Sequence, residues 1–422
     1  MSSIRQFGMG FALLALIIFF EFSTGGDVLT STNVQNLIIG NSYILILAIG
    51  MVLVIIAGHI DLSVGSVAAV TGIIVALAIR DWGIPWWLGV LLGLGVGAVI
   101  GAWQGFWVAF VGIPGFITTL AGMMLFRGAN QWIGQSNTVP VPQGLQDLGA
   151  GYLPEWGPNT GLNNSTLLLG ILAAVWVVYS ELRRRRGAVR LGIEPPSVRS
   201  SLIRVVVFVV LIGYATYLFG SGRYGTSYPI PGVVLLALVI IYHFIASRTI
   251  PGRHVYAVGG NRAAAALSGV NIRRTNFLVM MNMSVLAALA GMIFVGRATA
   301  SGPSDGTGWE LDAIAAVFIG GAAVSGGVGT VIGSVIGGLV MAVLNNGLQL
   351  SGVGSDKTQV IKGLVLLVAV AFDVLSKVQG RPSIIGLIFP SRRDNGPGAA
   401  IEGANTEQAE VPVADGATAA KG

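Results

Sequence analysis

Long apolar segments separated by short polar clusters run through most of this 422-residue chain. Many approach the roughly 20 residues that a helix needs to cross the hydrocarbon core of a bilayer. Only 10% of the residues are charged, whereas a soluble domain carries about a quarter. Because lipid offers no hydrogen bonds to the backbone, such segments must fold as helices. The sequence therefore predicts an all-α fold, a polytopic transmembrane helical bundle.

Twelve apolar segments are expected to form helices, giving about 10–12 spans, some of them broken or re-entrant. The first segment also has the length of a signal peptide. No small-residue cleavage pattern is convincing there, so a first membrane helix is favoured. The segments cover residues 7–22, 37–57, 62–79, 86–110, 116–134, 165–182, 202–220, 231–247, 276–296, 312–325, 329–350 and 358–376.

Basic residues set the expected orientation. If the N-terminus lies inside and the spans alternate, most of the 24 Lys and Arg residues fall in the cytoplasm, as the positive-inside rule requires. Both termini are then cytoplasmic, and the net charge of +6 needs no nucleic-acid partner. The basic groups are Arg183–Arg186 with Arg190, Arg199 and Arg204; Arg248, Arg253, Arg262, Arg273 and Arg274; and Lys377, Arg381, Arg392 and Arg393.

Residues 1–390 are predicted to form one transmembrane domain with a cytoplasmic basic insertion near residues 183–204. The loop Gln135–Asn164 is rich in Pro, Gly and Asn and is expected on the outer face. Residues 391–422 have almost no large apolar side chains and cannot bury enough surface to fold, so a disordered cytoplasmic tail is expected. The chain has no Cys and only three scattered His residues, so no metal site is expected.

Glycine spacing predicts how the helices pack. Glycines at every fourth position of a span lie on one helix face, where a neighbouring backbone can approach closely. A nucleotide-binding loop near Gly329 is disfavoured, because no strand precedes it and no acidic residue follows at the required distance. The two series are Gly89, Gly93, Gly97, Gly101 and Gly105, and Gly329, Gly333 and Gly337.

Two glycine-rich stretches, residues 58–65 and 320–330, predict helix interruptions. Transporters place substrate contacts or conformational joints at broken helices. Asp61 lies in the first stretch, and an ionisable residue within lipid is a functional candidate. A cap on the following helix is the favoured interpretation, and a gating role stays open. Similar sequences at Val64–Val67 and Val328–Val331 suggest an internal repeat.

A short, separately capped helix is predicted in the basic loop between two later spans. Asn261 is a good N-cap, residues 262–268 are mostly strong helix formers, and Gly269 can adopt the left-handed conformation that closes a helix. The segment Gly252–Asn271 is therefore either an interfacial loop helix or a docking element for a cytoplasmic partner.

This segment resembles the coupling loop of ABC-type monosaccharide permeases of the ribose/xylose class. The resemblance covers almost all of residues 35–378. The basic segment near residues 183–204 and the added spans make the chain more similar to the xylose-importer membrane subunit than to the shorter ribose type. The other stretches that carry the resemblance are Ile55–Ser66, Thr119–Gly128, Glu310–Ala316 and Asn345–Leu348.

Three positions depart from the family pattern. Ala263 and Ala266 stand where Glu and Arg are common in the coupling loop, which changes the charge pairing expected with an ATPase. His59 replaces a more usual small or acidic residue, which weakens any inference about the identity of the sugar.

The resemblance implies the membrane-spanning permease subunit of an ATP-binding-cassette importer, which brings a monosaccharide, xylose or a related sugar, into the cytoplasm. It implies a homodimer in a bacterial inner or plasma membrane, a cytoplasmic ATPase and an extracytoplasmic sugar-binding protein. The chain has no G-x-x-x-x-G-K-[ST] motif, so ATP and Mg are expected on the ATPase. The chain is not expected to be an enzyme. An ion-coupled secondary sugar transporter is the alternative, and a membrane-embedded enzyme is disfavoured because catalytic clusters are lacking.

Polar residues within the predicted spans are candidates for the pathway, and the resemblance implies the residues of the coupling loop. The translocation pathway or gate is expected at Asp61, Ser63, Asn282, Asn345 and Asn346. These Asn residues, and Gln104, would bond either sugar hydroxyls or neighbouring helices. The ATPase-coupling loop is expected to use Gly252, Arg253, Tyr256, Gly259, Gly260, Asn261, Ala264, Ala265, Ser268 and Gly269.

Trp309, Glu310 and Asp312 are expected at the outer mouth of the translocation pathway. They would meet the binding protein or cap a re-entrant helix. Arg127, near an outer helix end, is expected to snorkel. Interface anchoring is expected for Trp82, Trp86 and Trp87.

Overall fold

The computed structural model describes residues 2–377 except Asn159, Pro196 and Tyr224. The chain divides into two units, Met1–Asp373 and Val374–Gly422, and the fold described below is that of the first. The predicted tail, residues 391–422, lies outside the described residues.

Helices account for nearly all of the described secondary structure. A π-helical segment, Trp107–Val111, continues α4. The helices are α1 (Ser2–Ser23), α2 (Ser31–Ile56), α3 (Val64–Trp82), α4 (Trp86–Phe106), α5 (Gly115–Ile133), α6 (Gln143–Ala150), α7 (Asn164–Arg190), α8 (Val198–Gly220), α9 (Ile230–Arg248), α10 (Ile250–Gly260), α11 (Arg262–Leu267), α12 (Ile272–Ala298), α13 (Trp309–Ile319), α14 (Val331–Leu350) and α15 (Ser355–Lys377).

Each of the twelve predicted segments coincides with a helix, which confirms the all-α, polytopic prediction. Among the described residues, eight helices are long and apolar enough to cross a membrane: α2, α3, α4 with its π continuation, α7, α8, α9, α12 and α14. Helix α13 has 11 residues, about half of what a crossing needs. Both predicted interruptions are confirmed, since residues 57–63 and 320–330 are not helical.

The basic insertion differs from the sequence prediction. Helix α7 continues through Arg183–Arg186 and ends only at Arg190. The connection to α8 is therefore residues 191–197. Arginine is a strong helix former, so the charges extend the span as a helix instead of ending it.

Helix α2 lies at the centre of the bundle. In its most apolar window 78% of the residues are buried, compared with 6% in α8. It packs against α12, α14, α13 and α9. Helices α7 and α8 pack mainly on each other, so they form a peripheral hairpin whose apolar side chains face outwards.

The glycine face of α4 packs against α3 and α12, as the spacing predicts. Gly89, Gly93, Gly97, Gly101 and Gly105 are all buried. A Cβ atom on Gly97 would lie 2.6 Å from the Cβ of Ala288, and one on Gly101 would lie 2.6 Å from the Cα of Met281. Backbone contact at this distance excludes any side chain.

A small ordered structure occupies the predicted outer loop. Strand β1 (Val139–Pro140) pairs antiparallel with β2 (Ala300–Ser301), and α6 packs on α12. A Cβ atom on Gly149 of α6 would collide with the α12 backbone. The loop is therefore fixed to the bundle through α12.

Replacing Gly97 with alanine should destabilise the protein by about 1–3 kcal/mol relative to the matched change Gly95→Ala, because the new methyl group overpacks the helix contact. Gly95 lies on the same helix with nothing within 4 Å of a Cβ atom, so it controls for helix propensity. Thermal unfolding of the purified variants in detergent measures the difference. Equal stability of the two variants would contradict close packing at this face.

Candidate functional site

Two short helices, α10 and α11, connect α9 to α12. Thr249 begins α10 by accepting a hydrogen bond from the Gly252 amide (3.3 Å). Asn261 accepts one from the Ala264 amide (3.0 Å), which confirms the predicted N-cap. Gly269 has a φ of 81°, which confirms the predicted helix closure. The sequence analysis missed that residues before Asn261 form a helix of their own.

One face of α10 packs on the bundle where both helix interruptions meet. The Tyr256 hydroxyl donates to the Gly329 carbonyl (2.8 Å), and Val255 is buried. A Cβ atom on Gly259 would collide with the Ile56 carbonyl oxygen, so only glycine allows this approach. Helix α10 therefore contacts both the end of α2 and the segment before α14.

The outer face of α10 and α11 is exposed and carries a residue that the sequence analysis missed. The Leu267 side chain is 91% exposed, next to exposed Ala263, Ala264 and Ala266. Together these side chains form an exposed apolar surface on α11. Ala265 is buried and faces the bundle side. The predicted coupling residues that are exposed are Arg253, Gly260, Asn261, Ala264, Ser268 and Gly269.

Asp61 belongs to a buried chain of hydrogen bonds. Its Oδ1 accepts from the Ser63 amide (2.8 Å) and the Ser63 hydroxyl (2.6 Å). The Ser63 hydroxyl accepts in turn from Gln104 Nε2 (2.7 Å). The carboxylate does bind a backbone amide, as predicted, but the N-cap position of α3 is Ser63. Asp61 therefore closes a turn before the helix and does not cap its first turn.

Two backbone groups of the first interruption are hydrogen-bonded to one side chain of α5. The Thr119 hydroxyl accepts from the Leu62 amide (3.1 Å) and lies 3.3 Å from the Ile60 carbonyl, to which it donates. Buried backbone groups need such partners. Thr119 therefore holds this non-helical segment within the bundle.

Arg127 does not snorkel, which corrects the sequence prediction. Its Nη2 lies 3.9 Å from Glu310 Oε1, and its Nε is buried. Glu310 is in the first turn of α13, where a carboxylate is favoured by the helix dipole. The acidic partner on α13 explains why the guanidinium turns inwards.

These two groups meet in what we call the central polar cluster: Asp61, Ser63, Gln104, Arg127 and Glu310. The Asp61 side chain and the Arg127–Glu310 pair are close to each other. Glu310 Oε2 would lie 2.8 Å from a Cβ atom on Gly65, two residues after Ser63. Among the described residues, no hydrogen-bond partner is found for five buried atoms of the cluster: Asp61 Oδ2, Gln104 Oε1, Arg127 Nε, Arg127 Nη2 and Glu310 Oε2. Buried polar atoms are normally hydrogen-bonded, so the cluster retains capacity for a polar ligand.

The other predicted outer-mouth residues have structural contacts. Trp309 is buried and packs on Tyr43 and Phe294, with ring centroids 4.5 Å apart in both pairs. Asp312 forms an ion pair with Lys362 of α15 (2.5 Å). In this conformation Trp309 is not accessible to a binding protein, and Glu310 and Asp312 occupy the first turn of α13.

The predicted asparagines are spread over the bundle. Asn282 Oδ1 accepts from the Tyr242 hydroxyl (2.5 Å), which joins α12 to α9. Asn346 and Asn33 exchange two hydrogen bonds of 2.8 Å between α14 and α2. The interhelical interpretation is therefore confirmed for Asn282 and Asn346. Asn345 Oδ1 is buried with no partner among the described residues.

Comparison with known proteins identifies relatives along most of the chain. The permease protein XylH of the xylose transport system is 37% identical in Haemophilus influenzae, over 89% of this chain and 97% of that protein. XylH of Escherichia coli is 38% identical, over 89% of this chain and 93% of that protein. The ribose import permease protein RbsC of Escherichia coli is 34% identical, over 86% and 91%. No solved structure matches the chain.

A bundle of apolar helices around a buried polar cluster, with short capped helices exposed at one end, defines a multi-pass membrane transport protein. Residues 33–370 match the family described as branched-chain amino acid transport system / permease component. The chain belongs to this family.

The Arg127–Glu310 pair gives a direct test of the central polar cluster. Glu310→Gln and Arg127→Gln should each destabilise the protein, because each leaves one charge of the pair without its partner. The double variant should be destabilised by less than the sum of the two single changes. A coupling free energy of about 0.5–3 kcal/mol is expected, measured by thermal unfolding. The exposed pair Arg80–Asp81, with side chains 50% and 48% exposed, is the control and should show little coupling. Strict additivity at Arg127 and Glu310 would exclude a direct interaction.

Proposed function

We propose that this chain is the membrane-spanning permease subunit of an ATP-binding-cassette importer for a monosaccharide, most closely xylose. The observation that carries the proposal is the match to two XylH permeases over 89% of the chain. The weaker match to the ribose import permease supports the same class of importer, since ribose is another pentose.

The exposed patch of α11 is the proposed docking surface for a cytoplasmic ATPase, which binds ATP and Mg. Leu267 would enter a pocket on that partner, and burying a leucine contributes about 1.5–3 kcal/mol. The tip of the loop carries Ala263 and Ala266, so apolar contact would replace the charge pairing expected from the resemblance. ATP-driven movement of the partner would then reach the bundle through α10.

The central polar cluster is the proposed translocation gate. Transport requires that the sugar bind two conformations with different affinity. Sugar hydroxyls donate and accept hydrogen bonds, which suits the unpartnered atoms of Asp61, Gln104 and Glu310. Because Trp309 is buried, contact with an extracytoplasmic sugar-binding protein would fall on other outer residues, such as the α6 region.

The proposed setting is a bacterial inner or plasma membrane with both termini in the cytoplasm. In that orientation the α7 arginines and the α10–α11 loop share the cytoplasmic side, as the positive-inside rule requires. A second copy of the chain completes the pathway in the proposed homodimer. The exposed apolar side chains of α4 and α5 offer a surface for it.

The proposal predicts ATP-dependent uptake of labelled xylose into vesicles that contain the chain, its candidate ATPase and its candidate sugar-binding protein. Uptake should require all three components and exceed the uptake of ribose. Uptake that persists without ATP or the ATPase contradicts the proposal and indicates a gradient-driven carrier. ATP-dependent uptake of another sugar corrects the substrate alone.

The docking surface is tested by Leu267→Asp, with Leu191→Asp as matched control. Leu191 is also an exposed leucine, at 76%, in the basic connection after α7. Losing a contact of about 1.5–3 kcal/mol should lower ATPase binding and uptake about tenfold or more in the first variant only. Co-purification of the ATPase and thermal stability are measured together. Equal effects of both variants would reject Leu267 as the docking residue.

A further inference from the structure

A groove lies between α10 and the helices α9 and α12. Its volume is about 560 Å³, within the range of ligand-binding pockets. It is distinct from the central polar cluster, with which it shares no residue. Its lining includes Tyr242, Ile245, Val255, Leu278 and Val285.

The walls of the groove are mostly apolar and open onto an apolar surface. Leu278 in the lining is 38% exposed, Ile250 60%, and the adjacent Phe244 on α9 59%. Since α9 and α12 are both long and apolar enough to span a membrane, the groove faces the hydrocarbon side of the cytoplasmic leaflet in the proposed orientation. An apolar chain from the bilayer can therefore enter it from the side.

Positive charge lies at one end of the groove. Arg274 is part of its lining, and Arg253 and Arg273 are close in sequence. Residues 195–304 contain no Asp or Glu, and no ion pair is found for Arg274 within the described part of the chain. An unneutralised arginine at the end of an apolar groove complements an anion attached to an apolar chain.

We propose that this groove binds an anionic phospholipid of the cytoplasmic leaflet, with an acyl chain between α9 and α12 and the headgroup phosphate on Arg274. Arginine recognises phosphate through two parallel hydrogen bonds, and basic residues near an anionic membrane surface are attracted to it. The acyl chain supplies the apolar contact, which a free phosphate lacks.

The bound lipid would also affect coupling, an extension that rests on the proposed transport function. Pro251, Gly252 and Val255 of α10 line the groove. A lipid between α10 and the spanning helices stabilises the position of α10 that is observed here. Anionic lipid would therefore change how movement of the ATPase reaches the bundle.

The binding test uses the purified full chain in phosphatidylcholine vesicles that contain a trace of photoactivatable phosphatidylglycerol or photoactivatable phosphatidylcholine. Mass spectrometry of the labelled peptides locates the lipid. Labelling of α10 and α12 peptides should be severalfold higher with phosphatidylglycerol. Neither ATPase nor sugar is present, so the result does not depend on the proposed transport function.

Two variants and two controls define the site. Arg274→Gln should reduce phosphatidylglycerol labelling to the phosphatidylcholine level, while Arg273→Gln, which removes the same charge outside the lining, should not. Leu278→Trp should block labelling by either lipid, while Leu211→Trp on the exposed face of α8 should not. Both replaced groove residues are exposed, so the fold should be retained, and thermal unfolding verifies it.

Equal labelling by the two lipids, or labelling unaffected by Arg274→Gln and Leu278→Trp, overturns the proposal. Competition by glycerol phosphate without acyl chains also overturns it, because the site would then recognise a free phosphate. If labelling follows the prediction, ATP-dependent uptake in vesicles with and without phosphatidylglycerol tests the effect on coupling. If the unmodified protein transports equally in both kinds of vesicle, the effect on coupling is rejected and the binding site still stands.

Discussion

The hydrogen bond from the Gly327 amide to the Ile56 carbonyl (2.9 Å) joins the two places where the helices of this bundle are interrupted. A helix end leaves carbonyl groups without partners, and burial makes such groups costly. The end of α2 and the segment before α14 satisfy each other's backbone at this point. Gly327 has a φ of 72°, which favours glycine. This junction therefore ties the end of α2 to the segment that precedes α14.

Close backbone contact is the second constraint. Lipid tails are as apolar as the side chains, so helices in a membrane associate through packing and hydrogen bonds. Gly101 of α4 meets the Met281 backbone of α12, and Gly65 meets the Gly306 carbonyl, in both cases without an intervening side chain. Interhelical pairs such as Asn33 with Asn346 add specificity. The same close packing brings the charged residues of α5 and α13 near Asp61.

Local signals were sufficient to predict much of this structure. The apolar segments, the four-residue glycine period, the two interruptions and the Asn261 cap each depend on residues close in sequence, and each prediction is confirmed. Arg127 was misread because its acidic partner, Glu310, is far away in the chain. The ordered outer strands and the buried position of Trp309 were missed for the same reason. The exposure of Leu267 had a weak signal, a large apolar residue ending a run of alanines.

The contact of Gly259 with the Ile56 carbonyl has a mechanical consequence. A contact between side chains can absorb a small displacement by rotating about its χ angles. Here two backbones touch, and no side chain lies in the contact that could change its rotamer to absorb a displacement. Any displacement of α10 towards the bundle must therefore pass to α2 without slack. Glycine, the smallest residue, thus makes the contact between α10 and α2 stiffer than a contact through side chains would be.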